Sequence, residues 1–133
     1  MGRNIEIILG GLADAVREQD PERIGELLAP GVVWEGLRPE LRCDGRGEAL
    51  RLIRHRFAAA TFAVDAVEVI DAGDQVVVGL HGPGFNGTPG DLDTVGQTYN
   101  LFTLHDGKVV RWRDYLDRHE ALAAAGVTDG PWR

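Results

Sequence analysis

The chain contains no serine. A serine nucleophile is therefore excluded, and with it the acyl-transfer chemistry that depends on one. Cysteine occurs once, as Cys43, so no intrachain disulfide can form, and a cytoplasmic setting is expected. Lys108 is the sole lysine; arginine supplies the remaining fixed positive charge. Acids still outnumber bases, 21 to 14, for a formal net charge of −7. That balance argues against a nucleic-acid binder, which needs basic surface, and against adhesion to an anionic membrane. No apolar run approaches the roughly 20 residues of a spanning helix. The opening Met1-Gly2-Arg3-Asn4 runs straight into an amphipathic segment, without the layout of a signal peptide. The four histidines, His55, His81, His105 and His119, show no metal-ligand spacing with one another or with Cys43, so no metal is expected, and no other cofactor. The loop Gly82–Gly90 is rich in glycine and proline but lacks the lysine and helix start of a phosphate loop.

What is present fits one domain, residues 1–133, with a core of its own. Ile5, Ile8, Leu9, Leu12 and Val16 form a helical stripe over 4–19. Asp20-Pro21 reads as an N-cap followed by proline at the first helical position, with Ile24, Leu27 and Leu28 buried and Pro30-Gly31 as the stop. Val32-Val33-Trp34 is a short strand, 35–44 a loop, and 45–60 a third helix with Leu50, Ile53 and Phe57 inward. The pattern then changes to strands at 62–71, 75–82, 94–105 and 108–116, joined antiparallel. Asp117-x-x-Glu120 is a capping box opening a short terminal helix to Ala125. The expected class is α+β: a curved antiparallel sheet wrapped against three N-terminal helices, forming a cone with an apolar pocket at its mouth.

The most informative stretch is Asp106–Asp117. Asp-Gly between two alternating apolar runs signals a tight hairpin. On the strand that follows, Trp112, Asp114 and Leu116 share a face, because side chains alternate with period two. A carboxylate is thus set between two large apolar side chains. Burial beside an indole favours its neutral form and a nearby cation its charged form, and either tuning suits general base work. The competing reading is a structural partner for Arg111 or Arg113.

The element order resembles that of the nuclear transport factor 2-like superfamily, in its SnoaL-like branch. The similar stretches are Asp44-Gly45-Arg46, Val64–Glu68, Gly107-Lys108 and Trp112–Asp117. Within that superfamily the likeness is greatest to the limonene-1,2-epoxide hydrolases. The resemblance implies a cone-shaped pocket and a homodimer packed through the sheets. It also implies Asp114 as the base that activates water, with Trp112 beside it. Most other polar groups of that hydrolase are replaced. His81 stands for its arginine, Pro83 for its second aspartate, Trp34 for its tyrosine and Gly36 for its asparagine.

The candidate catalytic residues are therefore Asp114 and His81, the latter at the end of an apolar strand as acid or orienting partner. Thr98 and Asn100 share a face with Phe102 and are placed across from Asp114 to orient a ligand oxygen. Tyr99 falls on the other face, though a single bulge reverses such a parity. Trp34, Phe62, Phe85, Trp112 and Leu116 form the apolar lining. The expected partner is a small hydrophobic, oxygen-bearing molecule, with no nucleic acid and no membrane. Three functions stay open: an enzyme of the isomerase, cyclase or epoxide hydrolase type, a binding protein without catalysis, and an interaction or structural role through the sheet surface.

Overall fold

The computed structural model describes residues 3–36, 40, 42–59, 65–82, 96–115 and 118–126. The elements run α1 (Arg3–Glu18), α2 (Pro21–Gly25), β1 (Leu28–Glu35), β2 (Arg42–Asp44), α3 (Arg46–Ala59), β3 (Asp65–Ala72), β4 (Gln75–Gly82), β5 (Gly96–His105), β6 (Lys108–Tyr115) and α4 (Arg118–Ala124). The six strands form one curved, unclosed sheet in the order β2-β1-β6-β5-β4-β3. The class is α+β, as the patterning implies.

Local chemistry accounts for most boundaries. Asp20 caps α2 by accepting from the Glu22 amide at 3.0 Å, and Pro21 supplies the first helical φ. Asp106 and Gly107 both take positive φ, 51° and 79°, which is the two-residue turn that an Asp-Gly pair favours.

Three features differ from the sequence expectation. First, β3 to β6 form the expected antiparallel series, but β1 runs parallel to β6, so the sheet is mixed. Second, α2 stops at Gly25, and Pro30-Gly31 lie inside β1 rather than closing a helix. The β1–β6 register shifts between Leu28 and Val33, so Pro30 falls where the ladder is already interrupted and its missing N–H costs little. Third, part of the expected loop 35–44 is the strand β2, which pairs Cys43 with Trp34.

The sheet is covered on both faces. α1, α2 and α3 pack Ile5, Ile8, Ala15, Ile24, Ala49 and Ile53 onto Val32, Trp34, Val76, Val78, Phe102 and Trp112. On the reverse face, Ala121 and Leu122 of α4 pack on Ile70, Val77, Tyr99 and Leu101. This explains the unbroken Val76-Val77-Val78 run: a central strand buried on both faces has no polar side to show.

Two contacts fix the reverse face. The Tyr99 ring lies over Gly79, where an added Cβ would stand 2.7 Å from Cε2 of the ring. Gly79→Ala should therefore cost about 1–3 kcal/mol, read as a lower urea midpoint. An unchanged midpoint would mean the ring moves aside freely. The second contact ties α4 down. Arg118 donates to Glu68 through Nε to Oε1 at 2.6 Å and Nη2 to Oε2 at 3.2 Å, and the Tyr99 hydroxyl donates to Oε1 at 3.1 Å. The pair is mostly buried, with side-chain exposures of 23% and 22%. Arg118→Met keeps the stem but removes the fork. Amides of α4 should then exchange about 10- to 100-fold faster while those of β5 and β6 hold. Equal protection in both proteins would show that apolar packing alone secures the helix.

Candidate functional site

Asp114 lies next to the last residue of β6, on the face that α1 to α3 cover. Its position follows from two strand registers. Pairing with β5 sets Asn100 opposite Asp114 and Phe102 opposite Trp112. Parallel pairing with β1 sets Trp34 beside Trp112. Three strands thus deliver Trp34, Trp112, Phe102, Asn100 and Asp114 to one patch.

The patch is organised around the carboxylate. Asn100 Nδ2 donates to Oδ1 at 2.6 Å, and Trp112 Nε1 donates to the same oxygen at 2.9 Å. Trp34 Nε1 donates to Oδ2 at 3.0 Å. The two indoles stack with centroids 4.0 Å apart and planes 10° off parallel. The Phe102 ring tilts against Trp112 at 5.1 Å. Trp34, Trp112, Asn100 and Phe102 are all buried, whereas Asp114 is half-buried. A carboxylate taken partly out of water needs such donors, because burial without them costs several kcal/mol. Indole and amide N–H groups also do not titrate at ordinary pH, so they orient the carboxylate without competing for its proton. Chemically, this is a fixed, partly accessible proton acceptor on an aromatic wall.

The other sequence-predicted residues fall as follows. Thr98 is buried on the Asn100 face and its hydroxyl donates to the Tyr115 carbonyl at 3.4 Å. His81 pairs with Gln97 in a β4–β5 register unbroken from Gln75 to Gly82. The His81 side chain lies outside what the structure describes, as do residues Phe62, Phe85, Leu116 and the Gly-Pro loop from Pro83 to Gly90. Cys43 is buried in β2. Among the described residues, no group of three or more His, Cys, Asp or Glu could hold a metal ion, and no helix is long and apolar enough to cross a membrane.

Sequence reasoning placed Trp34 in the lining but missed its N–H as a donor to Asp114. It also missed the Tyr99–Glu68–Arg118 cluster on the reverse face. Beside that cluster is Tyr115, whose buried hydroxyl meets no hydrogen-bond partner among the described residues. Burial pushes the Tyr115 and Tyr99 hydroxyls above the usual phenol range, so both stay neutral. A surface depression lined by Val33, Glu35, Arg42, Val110 and Arg111 lies on the outer side of β1 and β6, away from Asp114. There Arg111 holds the Glu35 carboxyl below the usual range through a 2.8 Å contact.

Residues 10–112 match the family described as SnoaL-like domain. No curated protein matches the chain. Among solved structures, TerC co-crystallised with polyporic acid superposes with a TM-score of 0.68 at 22% identity, covering 94% of this chain and 99% of TerC. A candidate polyketide cyclase from Sinorhizobium meliloti gives 0.65 at 22% identity, covering 86% and 95%. A Catenulispora acidiphila protein with a ketosteroid isomerase-like fold, in complex with trimethylamine, gives 0.66 at 20% identity, covering 95% and 96%. At these identities the structural likeness establishes a shared fold.

Proposed function

This chain belongs to the SnoaL-like domain family, and from that premise we propose that it is a cofactor-independent enzyme of the isomerase or cyclase type. Its substrate is a small hydrophobic, oxygen-bearing molecule, and Asp114 is the general base. The carrying observation is the half-buried Asp114 carboxylate held by Asn100, Trp112 and Trp34 on the inner face. The resemblance of the fold to a candidate polyketide cyclase and to TerC supports substrates of this kind.

The chemistry follows from the donors. The carboxylate removes a proton from carbon next to a carbonyl, and the C–H electron pair moves onto the carbonyl oxygen as an enolate. The proton then returns to another carbon, which is isomerisation. Alternatively the enolate carbon attacks a second carbonyl carbon, the carbonyl π pair moves onto its oxygen, and that oxygen takes the proton from Asp114, which closes a ring. Both need one base held in place. Epoxide hydrolysis needs in addition an acid for the leaving oxygen. The indole and amide donors described at Asp114 hold a base in place, and the likeness of the fold to a candidate polyketide cyclase favours proton transfer at carbon. The resemblance to limonene-1,2-epoxide hydrolases keeps hydrolysis as the second reaction to assay.

A binding protein without turnover is the second reading. The observation favouring it is that all three of these partners are non-titrating groups beside a wall of Trp34, Trp112 and Phe102.

The test is solvent exchange. Aromatic 1,3-dicarbonyl compounds, cyclic enones and cyclic epoxides are incubated in D2O with the protein and with Asp114→Asn. Deuterium uptake at carbon that the variant loses supports the enzyme. Diol formation that the variant loses moves the reaction to hydrolysis. Binding without either reaction supports the second reading.

A further inference from the structure

We propose that the outer face of β1 and β6 carries a second binding site, for a small organic acid with one carboxylate and a short aliphatic body. The site is separate from Asp114, which lies on the opposite face of the sheet with Trp34 and Trp112. It stands whatever reaction Asp114 performs.

A surplus of guanidinium carries the proposal. β1 lies between β2 and β6, and the registers set Glu35 beside both Arg42 and Arg113, and Val33 beside both Asp44 and Arg111. Among the described residues of this patch, three arginines thus share two carboxylates. Arg42 takes Asp44, Nε to Oδ1 at 3.1 Å. Arg111 takes Glu35, with Nε at 3.2 Å and Nη2 at 2.8 Å from Oε1. Arg113 only approaches the same oxygen, at 3.7 Å, beyond hydrogen-bond reach, and its guanidinium rests over the Tyr115 ring at 5.3 Å. Glu35 is charged at neutral pH, because the hydrogen bond from Arg111 holds its carboxyl below the usual range. One positive charge is therefore left over on this patch, in a chain whose net charge is −7.

Space and chemistry select the ligand. A depression of about 300 Å³ is lined by Val33, Glu35, Arg42, Val110 and Arg111. Val33 and Val110 are partly exposed and give it an apolar floor. Arg42 and Arg111 stand at its side, 51% and 52% exposed. A hollow of this size holds a small molecule, and a guanidinium grips a carboxylate through two parallel N–H donors. A single surplus charge matches a monoanion rather than a phosphate dianion. Glu35 can pass to Arg113, already 3.7 Å away, so Arg111 turns to the incoming carboxylate without leaving Glu35 unpaired. A second copy packed face to face on this patch is the rival occupant. It brings the same surplus of arginine, and so adds like-charge repulsion rather than the missing carboxylate.

The test titrates the whole chain with butyrate, and with neutral butyramide as the control, and follows amide signals in nitrogen-15 spectra. Butyrate should shift the Val33, Val110 and Arg111 amides saturably, with half-saturation in the millimolar range, while butyramide leaves them in place. Two surface substitutions should move that midpoint in opposite directions. Arg111→Gln removes a fork that meets the carboxylate and should weaken binding about tenfold. Glu35→Gln removes the competing carboxylate, releases both Arg111 and Arg113, and should tighten binding.

No saturable shift, equal shifts with butyramide, an unchanged midpoint in Arg111→Gln, or binding in Glu35→Gln that is no tighter each overturn the proposal. Shifts confined to the Trp34 and Trp112 indole signals also overturn it, because they place the acid on the inner face beside Asp114. Sedimentation of the same samples reports the rival occupant. A dimer that hides Val33 and Val110 and takes up no butyrate overturns the proposal in favour of a second copy.

Discussion

Asp114→Asn should lower the rate of substrate proton exchange by about 10²- to 10⁴-fold, the usual contribution of a positioned general base. The change is close to isosteric, so the stacked indoles and the strand register persist. What disappears is the second acceptor oxygen and the charge. Asparagine can still accept at one oxygen, but its NH2 group must then face either Trp34 on one side or Asn100 and Trp112 on the other. All three present N–H donors. One donor is left facing another, at a cost of about 1–3 kcal/mol in stability. Stability and rate must therefore be measured on the same preparation, at a temperature where the variant is fully folded. A rate loss in folded protein, with the substrate KM little changed, places the defect in the proton-transfer step. A folded variant that exchanges substrate protons at the parent rate would sink the assignment.

The constellation was half legible in the sequence. Trp112 beside Asp114 follows from period two alone, once Asp106-Gly107 fixes the hairpin. Asn100 does not follow so simply. Unbroken pairing from that turn would set Asp114 opposite Tyr99. Instead the register shifts between Thr103 and Leu104, because Val109 pairs with Leu104 but Arg111 pairs with Thr103. Val110 is the extra residue of a bulge, and it turns Asn100 toward Asp114. No residue type in this stretch announces a bulge, so the sequence places Asn100 across from Asp114 without showing the register that brings it there. Glycine or asparagine would have marked a bulge in the left-handed conformation, and neither is present.

Trp34 was still harder to place. It reaches Asp114 only because β1 runs parallel to β6, across a separation of 80 residues. Parallel partners are not joined by a local turn, so nothing near Trp34 names its neighbour. The Pro30-Gly31 pair hid the start of β1 as well, since it imitates a helix stop. The class and the order of the long strands were legible for the opposite reason. Helical stripes, the Asp-Gly turn and the valine runs are local signals, and each keeps its meaning without knowledge of a distant partner.

Phe102→Ala should cost about 3–5 kcal/mol of stability, the range for truncating a large buried aromatic side chain. Among the described residues Phe102 is the largest of the fully buried side chains, at 2% exposed. It pairs with Val76 on β4 and with Trp112 on β6, so it sits between the two strands that flank β5. Truncation would leave a cavity that rigid strands on either side are slow to fill. Domains of this size carry about 5–15 kcal/mol in all, so the loss removes a large share of the total. Urea unfolding should show a lower midpoint with an unchanged slope. Phe102→Leu keeps most of the volume and should cost clearly less. The consequence for the site is separable from the loss of folded protein. The tilted Phe102 ring backs Trp112, and Trp112 donates to Oδ1 of Asp114. Without that backing the indole gains room, and the oxygen it holds gains freedom with it. Exchange rates normalised to folded protein should therefore also fall in Phe102→Ala and recover in Phe102→Leu. A variant that loses stability but keeps its normalised rate would show that the Phe102 ring is not needed to hold Trp112 on the carboxylate.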